Sequence, residues 1–474
     1  MTYMRPSSSQ IDLWPSLGLE LDWGILYNHS RKSEQFQKPS QKLFDVGVAY
    51  DASVHGYTGT LTTTFSQHLP MGDLHNIFNK SIQALGIPPR DDFNGGDLRG
   101  YGIQMVTQNK NADVREDAAR AYYYPFSDRP NLSVMVNSTG MRVLWSSNVV
   151  QGQPVASAVE VRDNNGKTIT VLADREVVLS AGALRTPILL ENSGVGNPDI
   201  LIKQNIDVKV ELRAVGENLQ DQPTMSILAA YAGNETGFPA FVAHTSLHDV
   251  LGANASVFYA SSLAKLPQYA ATISARNGGA SSAFAQERLL KSQLDLLFAS
   301  NTPTSEIVPA AIGNLAGAIF WLHQPFSRGS VHINATDIDN PVIDARMFEL
   351  DIDGTLNIAT AKWVRKFMAT PPLSQYLNLS ASIPSFETIP EDAEDEVWLD
   401  WMKGISEPNY HHLGTCAMLP REFGGVVDND FKVYGTYNVR VVDLSVVPLQ
   451  IAGHSMAPLY GISEWAAEKI KNDQ

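Results

Sequence analysis

The sequence has little cysteine, no long apolar run and a deficit of positive charge, and each shortage excludes a class of protein. One cysteine, Cys416, leaves no internal disulfide and no multi-cysteine metal site. The best apolar stretch, residues 310–322, is shorter than the roughly 18 to 20 residues of a membrane-spanning helix, and Asn314 interrupts it. The 35 Lys and Arg against 50 Asp and Glu give a net charge of -15, which argues against a nucleic-acid partner.

The chain is long enough for two or three domains, because 474 residues of 44% hydrophobic composition can bury a large core. Several Asn-x-Ser/Thr sequons for N-glycosylation favour a secreted protein. The opening "MTYMRPSSSQIDLW" has neither the basic start nor the apolar core of a signal peptide, so the compartment stays open and secretion is an expectation for a longer form. The sequons begin at Asn28, Asn79, Asn131, Asn137, Asn234, Asn254, Asn334 and Asn378.

Residues 158–180 have the pattern of β-strands around an Asn165-Gly166 turn. A glycine turn then leads into "RTPILLENSG", where Thr186 can cap a short helix, Pro187 suits its first turn and Gly194 ends it. A strand, a glycine turn and a helix together are typical of a nucleotide-binding domain.

Other segments predict elements without chemistry of their own. The acidic segment 388–402 predicts a helix with Pro390 in its first turn, and residues 234–305 show helical periodicity without candidate functional groups. Near the end, residues 438–443 predict a strand, and the residues after His454 predict a helix.

The stretch Gly453-His454-Ser455-Met456-Ala457 has the form of a hydrolase's nucleophile turn. In that arrangement the acid and then the histidine follow the serine along the chain, but no histidine follows Ser455. A serine hydrolase would therefore need its triad in a different chain order, which stays open as an alternative.

Two histidines in glycine-containing contexts are candidates for proton transfer, His411 in "PNYHHLGTCAM" and His454 in "IAGHSMAPLY". Oxidising an alcohol requires a group that takes the hydroxyl proton, and histidine is suited to this near neutral pH. Spacing alone does not show that the two converge, so a structural role for each is the alternative.

Several blocks together resemble one enzyme family. "GALRTPILLENSGVG" at residues 182–196 resembles the signature of the glucose-methanol-choline (GMC) oxidoreductases. "RPNLSV", "VGENLQDQP", "PFSRGSV" and "YHHLGTCAM" also resemble family blocks, in the family's order and across most of the chain. Members similar to fungal glucose oxidase and aryl-alcohol oxidase are the nearest in pattern.

The resemblance implies FAD-dependent oxidation of a primary alcohol, whether aryl, aliphatic or sugar-like. It places the proton acceptor at His411, because Gly414 and Thr415 fix the register, and a second active-site position at His454. His454 would orient the alcohol or share the proton, while hydride passes to the flavin. Oxygen or another electron acceptor would then reoxidise the cofactor.

On the cofactor side, the resemblance implies roles for Asp443 and Gly140, and for Ser455 and Met456 at the start of the last helix. The amides of that helix start would face the flavin edge where negative charge develops. For Asp443, a turn residue that caps a strand end is the alternative interpretation.

The implied fold is mixed α/β, with an FAD-binding Rossmann-like lobe and a substrate lobe built on an antiparallel sheet and helices. We expect residues 1–212 to hold the N-terminal family region, 213–320 a segment of the substrate lobe, and 321–470 the C-terminal region. This last region would complete the substrate sheet, carry the histidines and return to the FAD lobe.

The sequence departs from the family pattern in two places. No Gly-x-Gly-x-x-Gly follows a strand, although this fingerprint normally lets the backbone approach the FAD pyrophosphate. We therefore expect an N-terminally truncated chain that lacks the first βαβ unit, with a non-catalytic homologue unable to hold FAD as the alternative. In sugar-oxidising members an arginine stands two residues before Asn409, but here that position is Glu407. The reversed charge disfavours glucose and leaves Asn409 and Glu407 as substrate-side candidates.

Overall fold

The computed structural model describes residues 2–69, 74–233, 240–299, 302–334 and 337–473, and the sequon at Asn234 lies outside these ranges. Within them the helices are α1 (Ser8–Ile11), α2 (Trp23–Ser33), α3 (Gln41–Asp45), α4 (Leu74–Ala84), α5 (Thr186–Asn192), α6 (Pro198–Lys203), α7 (Leu247–Leu251), α8 (Ala255–Arg276), α9 (Ala283–Ala299), α10 (Asp351–Met368), α11 (Asp395–Ile405) and α12 (Met456–Asn472). The strands are β1 (Thr2–Tyr3), β2 (Glu34–Phe36), β3 (Leu61–Thr63), β4 (Gly100–Ile103), β5 (Met105–Val106), β6 (Gln108–Asn109), β7 (Val114–Arg115), β8 (Thr139–Val150), β9 (Gln153–Arg162), β10 (Thr168–Leu172), β11 (Val177–Leu179), β12 (Val195–Gly196), β13 (Val210–Glu211), β14 (Glu217–Leu219), β15 (Pro223–Tyr231), β16 (Phe241–Ser246), β17 (Pro303–Ile312), β18 (Leu315–Leu322), β19 (Gly329–Asn334), β20 (Asp337–Asp344), β21 (Leu377–Ile383), β22 (Glu407–Pro408) and β23 (Val439–Val441).

The largest sheet has seven strands in the order β21-β15-β18-β17-β16-β4, with β22 paired to the end of β15. Every pair in it is antiparallel. This confirms the antiparallel sheet that the sequence predicts for the substrate lobe.

One row of residues across this sheet contains Glu306, which belongs to the candidate site described below. His244 on β16 lies opposite Glu306 on β17, and Glu306 lies opposite Trp321 on β18, which in turn faces Thr224 on β15. Because side chains alternate between the two faces of a sheet, the next row points the other way. That row is buried with α10 in one apolar core and consists of Ala243, Ile307, Phe320 and Met225.

The second lobe contains the predicted strand, glycine turn and helix. β11 pairs in parallel with β23, and the chain then turns at Gly182 into α5. β8, β9 and β10 form an antiparallel three-stranded sheet, and the Asn165-Gly166 turn lies in the loop between β9 and β10. The predicted strand over 438–443 and the last helix are also present, as β23 and α12.

Two details of the predicted helices are wrong. The N-cap of α5 is Arg185, while the Thr186 hydroxyl instead donates to Asp443 Oδ2 at 2.5 Å. The helix predicted over 388–402 is α11, which begins only at Asp395, so Pro390 lies before it. Ile389 explains the delay, because its side chain is buried and its carbonyl accepts a hydrogen bond from Arg365 in α10.

The described helices include none with both the length and the apolar character needed to cross a bilayer.

Candidate active site

His411 follows β22 and is held by its backbone. Its amide donates to Asp221 Oδ1 at 3.0 Å, and its carbonyl accepts from Gln450 Nε2 at 3.3 Å. Two residues on, Leu413 exchanges both backbone hydrogen bonds with Gln220, each at 3.1 Å. Contacts from the segment before β15 and from the segment before α12 therefore fix the position of this loop.

The contacts of the His411 ring leave one of its nitrogens free to accept a proton. Its Nδ1 lies 2.8 Å from Gln222 Oε1, which also accepts from Asn409 Nδ2 at 2.9 Å. An amide oxygen can only accept, so Nδ1 carries the proton and Nε2 keeps its lone pair. Burial is the main cause that lowers the pKa of His411 to about 4, and the neighbouring His454 lowers it further. The ring is therefore neutral at pH 7.

The structure brings His454 beside His411, with ring centroids 5.0 Å apart and planes at 85°. His454 Nε2 lies 2.9 Å from Glu306 Oε1, and the Trp321 indole packs edge-on against the imidazole at 6.0 Å. Because the carboxylate accepts, Nε2 carries a proton and Nδ1 is left as the nitrogen available to a ligand. The two predicted histidines thus form one pair.

Glu306 is a buried anion behind this pair. Burial alone would raise the pKa of its carboxyl group, but His454 and His244 oppose burial and lower the pKa to about 2. Its negative charge faces His454 from a fully buried position and favours a proton on the neighbouring imidazoles.

Two further buried histidines lie next to Glu306. Gly453 N donates to His323 Nδ1 at 3.3 Å, and His323 Nε2 lies 2.9 Å from His244 Nδ1. His244, Glu306 and His323 are residue types that bind metals, with ligand atoms within 4.8 Å of one another. However, His323 Nδ1 already accepts from a backbone amide, so Nε2 carries the proton and cannot bind a metal. We interpret His323 and His244 as a neutral hydrogen-bonded pair that supports the loop before His454.

Helix α12 starts at Met456, two residues after His454. Its N-cap Ser455 makes no side-chain capping bond, and the amides of Ser455 and Met456 donate to no partner among the described residues. Both residues are half-buried. The start of this 17-residue helix therefore presents partial positive charge next to the histidine pair.

Asp443 is placed in a turn. One carboxylate oxygen accepts from Ser445 N at 2.8 Å and the other from Gly182 N at 2.8 Å, in addition to the bond from Thr186. The side chain thus ties the end of β23 to the turn before α5. Gly140 lies on β8, where an added Cβ would meet only Leu189, at 3.9 Å. In the described structure neither residue contacts the histidine pair.

Of the two substrate-side candidates, only one contacts the histidine pair. Asn409 joins the site, because its amide lies 3.1 Å from His411 Nδ1 and bonds Gln222. Glu407 is exposed on β22, paired with Thr224, and contacts neither histidine within the described residues.

Sequence reasoning missed Glu306, Gln222, His323 and His244. The available signal was a charged or imidazole side chain inside or directly after an apolar strand, as for Glu306 in "PTSEIVPAAI" and His323 in "FWLHQPF". That signal marks a buried polar group without naming its partner. His244 lies in the segment to which the sequence assigns no chemistry.

Comparison with known proteins identifies the family. The models of the GMC oxidoreductases match residues 1–224 with the N-terminal part and residues 325–463 with the C-terminal part. The chain belongs to the GMC oxidoreductase family. This confirms the resemblance given by the sequence blocks.

Individual relatives agree with this membership. The glucose oxidase-like protein fsoC of Humicola fuscoatra is 38% identical, over 99% of this chain and 80% of its own length. A glucose oxidase of Penicillium chrysogenum is 31% identical, over 100% of this chain and 78% of its own length. The structure of a fungal aryl-alcohol oxidase superposes with a TM-score of 0.88 at 26% identity, covering 100% of this chain and 84% of that one.

As a GMC oxidoreductase the protein is an oxidoreductase that acts on CH–OH groups, and FAD is the family's cofactor. The mixed α/β fold is confirmed as well. The domain boundaries, the individual site residues and an upstream segment that would supply the glycine fingerprint stay predictions.

The residues present fit a flavin at one end of the site. The unpaired amides at the start of α12 and the half-open histidine pair suit an electron acceptor that becomes negatively charged. Ser455 and Met456 would hold this end. The Asp443 carboxylate has both oxygens engaged, so a cofactor contact there would come from its backbone.

Proposed function

We propose that this protein oxidises a primary alcohol in an FAD-dependent reaction, with His411 as the proton acceptor. The observation that carries the proposal is the pair of imidazoles 5.0 Å apart, one with a free Nε2 and the other backed by a buried carboxylate. Such a pair suits removal of a hydroxyl proton better than it suits hydrolysis, for which the chain offers Ser455 but no histidine after it.

The proposed proton transfer uses this chain's own groups. His411 Nε2 takes the hydroxyl proton, while Gln222 holds the opposite nitrogen and thereby the tautomer. His454 Nδ1 accepts or shares the hydrogen bond of the alcohol and orients it. Glu306 compensates the positive charge that the pair gains. A bound FAD would supply the hydride acceptor for this reaction, and oxygen or another acceptor would then take up the two electrons.

The substrate class follows from charge and exposure. Glu407 stands on the exposed strand β22 where sugar-oxidising members carry an arginine, and Trp321 contributes an aromatic edge beside His454. We therefore favour an aryl or other apolar primary alcohol over glucose.

His411→Ala tests the assignment. We expect the rate of alcohol oxidation by the FAD-loaded protein to fall by about a hundredfold to ten-thousandfold, because the general base is removed. The measurement is kcat on a panel of aryl and aliphatic alcohols, with His412→Ala as the matched control at the neighbouring position. An unchanged kcat in His411→Ala, or an equal loss in His412→Ala, would refute the assignment.

The second candidate is a non-catalytic homologue, favoured by the missing Gly-x-Gly-x-x-Gly. The two candidates differ in the visible absorption of the purified 474-residue chain after incubation with FAD and desalting. A retained flavin band at one equivalent supports the enzyme. A colourless, folded protein supports the homologue that holds no FAD.

A further inference from the structure

A cavity of about 450 Å³ opens on the substrate lobe, away from the histidine pair. It lies between α10, β21 and α11, and its floor includes the buried Ile227 of β15. Ile227 is three residues beyond Thr224, so its side chain points to the opposite face of the sheet from the row that carries Glu306. The cavity and the candidate active site are therefore separated by the sheet.

The cavity combines apolar walls with cations. Three basic side chains line it, Lys362, Arg365 and Lys366, against one acidic lining residue, Glu391. Lys362 pairs with Asp395 outside the cavity at 2.8 Å, whereas Lys366 has no ion pair in the described structure. In a chain with a net charge of -15, this local excess of positive charge stands out.

Arg365 is fixed in place by its two terminal nitrogens and by two aromatic rings. Its guanidinium lies over the rings of Phe386 and Trp398 at 4.7 and 4.5 Å, and one terminal nitrogen donates to the Ile389 carbonyl at 2.9 Å. Arg365 Nε and Trp398 Nε1 are buried and have no hydrogen-bond partner among the described residues. Both residues line the cavity, where the Arg365 guanidinium adds positive charge.

We propose that this cavity binds an organic acid with an apolar body, such as a medium-chain or aryl carboxylate. The apolar part lies against Ile227, Met368 and Leu379, and the carboxylate faces Lys366 and Arg365. The volume is within the roughly 300 to 1,000 Å³ typical of small-molecule sites. An excess of donors over acceptors in the lining selects an anion over an amine.

Isothermal titration calorimetry with sodium octanoate tests the site. We expect 1:1 binding with a Kd below about 1 mM at low salt, and binding of octanol and octylamine at least about tenfold weaker. Equal binding of octanol would overturn the carboxylate recognition, and no binding of octanoate would overturn the site.

Two variants locate the ligand. Lys366→Glu should raise the octanoate Kd at least about tenfold by reversing a charge at the cavity. Ala369→Trp, at an exposed lining position after α10, should block the cavity without entering the core. Lys203→Glu, at an exposed position of α6, is the control with the same change in net charge, and should bind octanoate like the unaltered protein.

The site is independent of the catalytic assignment, so His411→Ala should leave octanoate binding unchanged. If Lys366→Glu and Ala369→Trp bind as tightly as the unaltered protein while His411→Ala binds more weakly, the acid occupies the histidine site and the proposal is wrong. Thermal unfolding of each variant verifies that it is folded.

Discussion

At the residue scale, the candidate site depends on which nitrogen of each histidine carries the proton. Gln222 holds the proton on His411 Nδ1, and Glu306 holds the proton on His454 Nε2. The nitrogens left over, His411 Nε2 and His454 Nδ1, are those available to an alcohol. Neither assignment is visible in the two sequence blocks that contain the histidines.

Glu306→Gln should therefore impair catalysis without removing a hydrogen-bonding group. The amide keeps the size and one acceptor oxygen, but it loses the charge that stabilises a proton on the pair, so we expect kcat/KM to fall by about tenfold to a hundredfold. The measurement is kcat/KM across pH on the best alcohol, with the exposed Glu387→Gln as control. Equal kcat/KM in both variants would mean that the charge of Glu306 has no part in proton transfer.

At the element scale, a buried ion cluster joins α5 to two strands. His332 on β19 bonds Glu191 of α5 at 2.7 Å and Glu217 of β14 at 3.1 Å. Burial alone would lower the pKa of His332, but the two carboxylates outweigh burial and raise it to about 9. The charged imidazole thus connects the family signature helix with the sheet beside it.

This cluster predicts how stability depends on pH. The folded pKa of about 9 lies above the unfolded value of about 6.5, so the stabilisation is complete below pH 6.5 and is lost as the pH rises through 9. The difference corresponds to about 3 kcal/mol. We expect His332→Gln to lower the free energy of unfolding by about this amount at pH 6 and by much less at pH 9.5.

Urea unfolding of both proteins at the two pH values measures this change. His68→Gln is the control, because its pair with Asp113 is exposed and should contribute less than about 1 kcal/mol at either pH. A loss in His332→Gln that is the same at pH 6 and 9.5 would contradict the charged state of His332.

At the scale of the whole molecule, the exposure of the sequons predicts how the chain would be modified if secreted. Six of the seven sequon asparagines in the described residues are exposed, whereas Asn79 in α4 is half-buried with its Oδ1 enclosed. A glycan needs an accessible asparagine side chain in the folded protein.

Secretion of the chain from a yeast, directed by an added signal peptide, tests this pattern. We expect endoglycosidase treatment to lower the mass, and peptide mapping to find glycans at Asn131 and Asn378 but none at Asn79. Full occupancy of Asn79 would contradict the packing of α4, and an unchanged mass would contradict the proposed use of the sequons.

Much of the fold follows from local pattern. The sequence pattern predicts strands within residues 158–180 and directly before Asp443, and the structure contains them. These predictions succeed because the alternation of apolar side chains is a local property. The residue at which a helix starts depends less on the local sequence pattern. α11 begins at Asp395 because Ile389 is buried and Arg365 holds its carbonyl, a contact between residues 24 positions apart.

The family and the two candidate histidines could be read from the sequence alone, because each is part of a contiguous motif, and the sequence also shows that no Gly-x-Gly-x-x-Gly follows a strand. Only the tertiary structure decided what surrounds the pair. Glu306, Gln222 and His323 come from separate segments that the antiparallel sheet and the loops at its edge bring together. No spacing rule predicts such contacts, since they depend on strand order and register across the whole lobe.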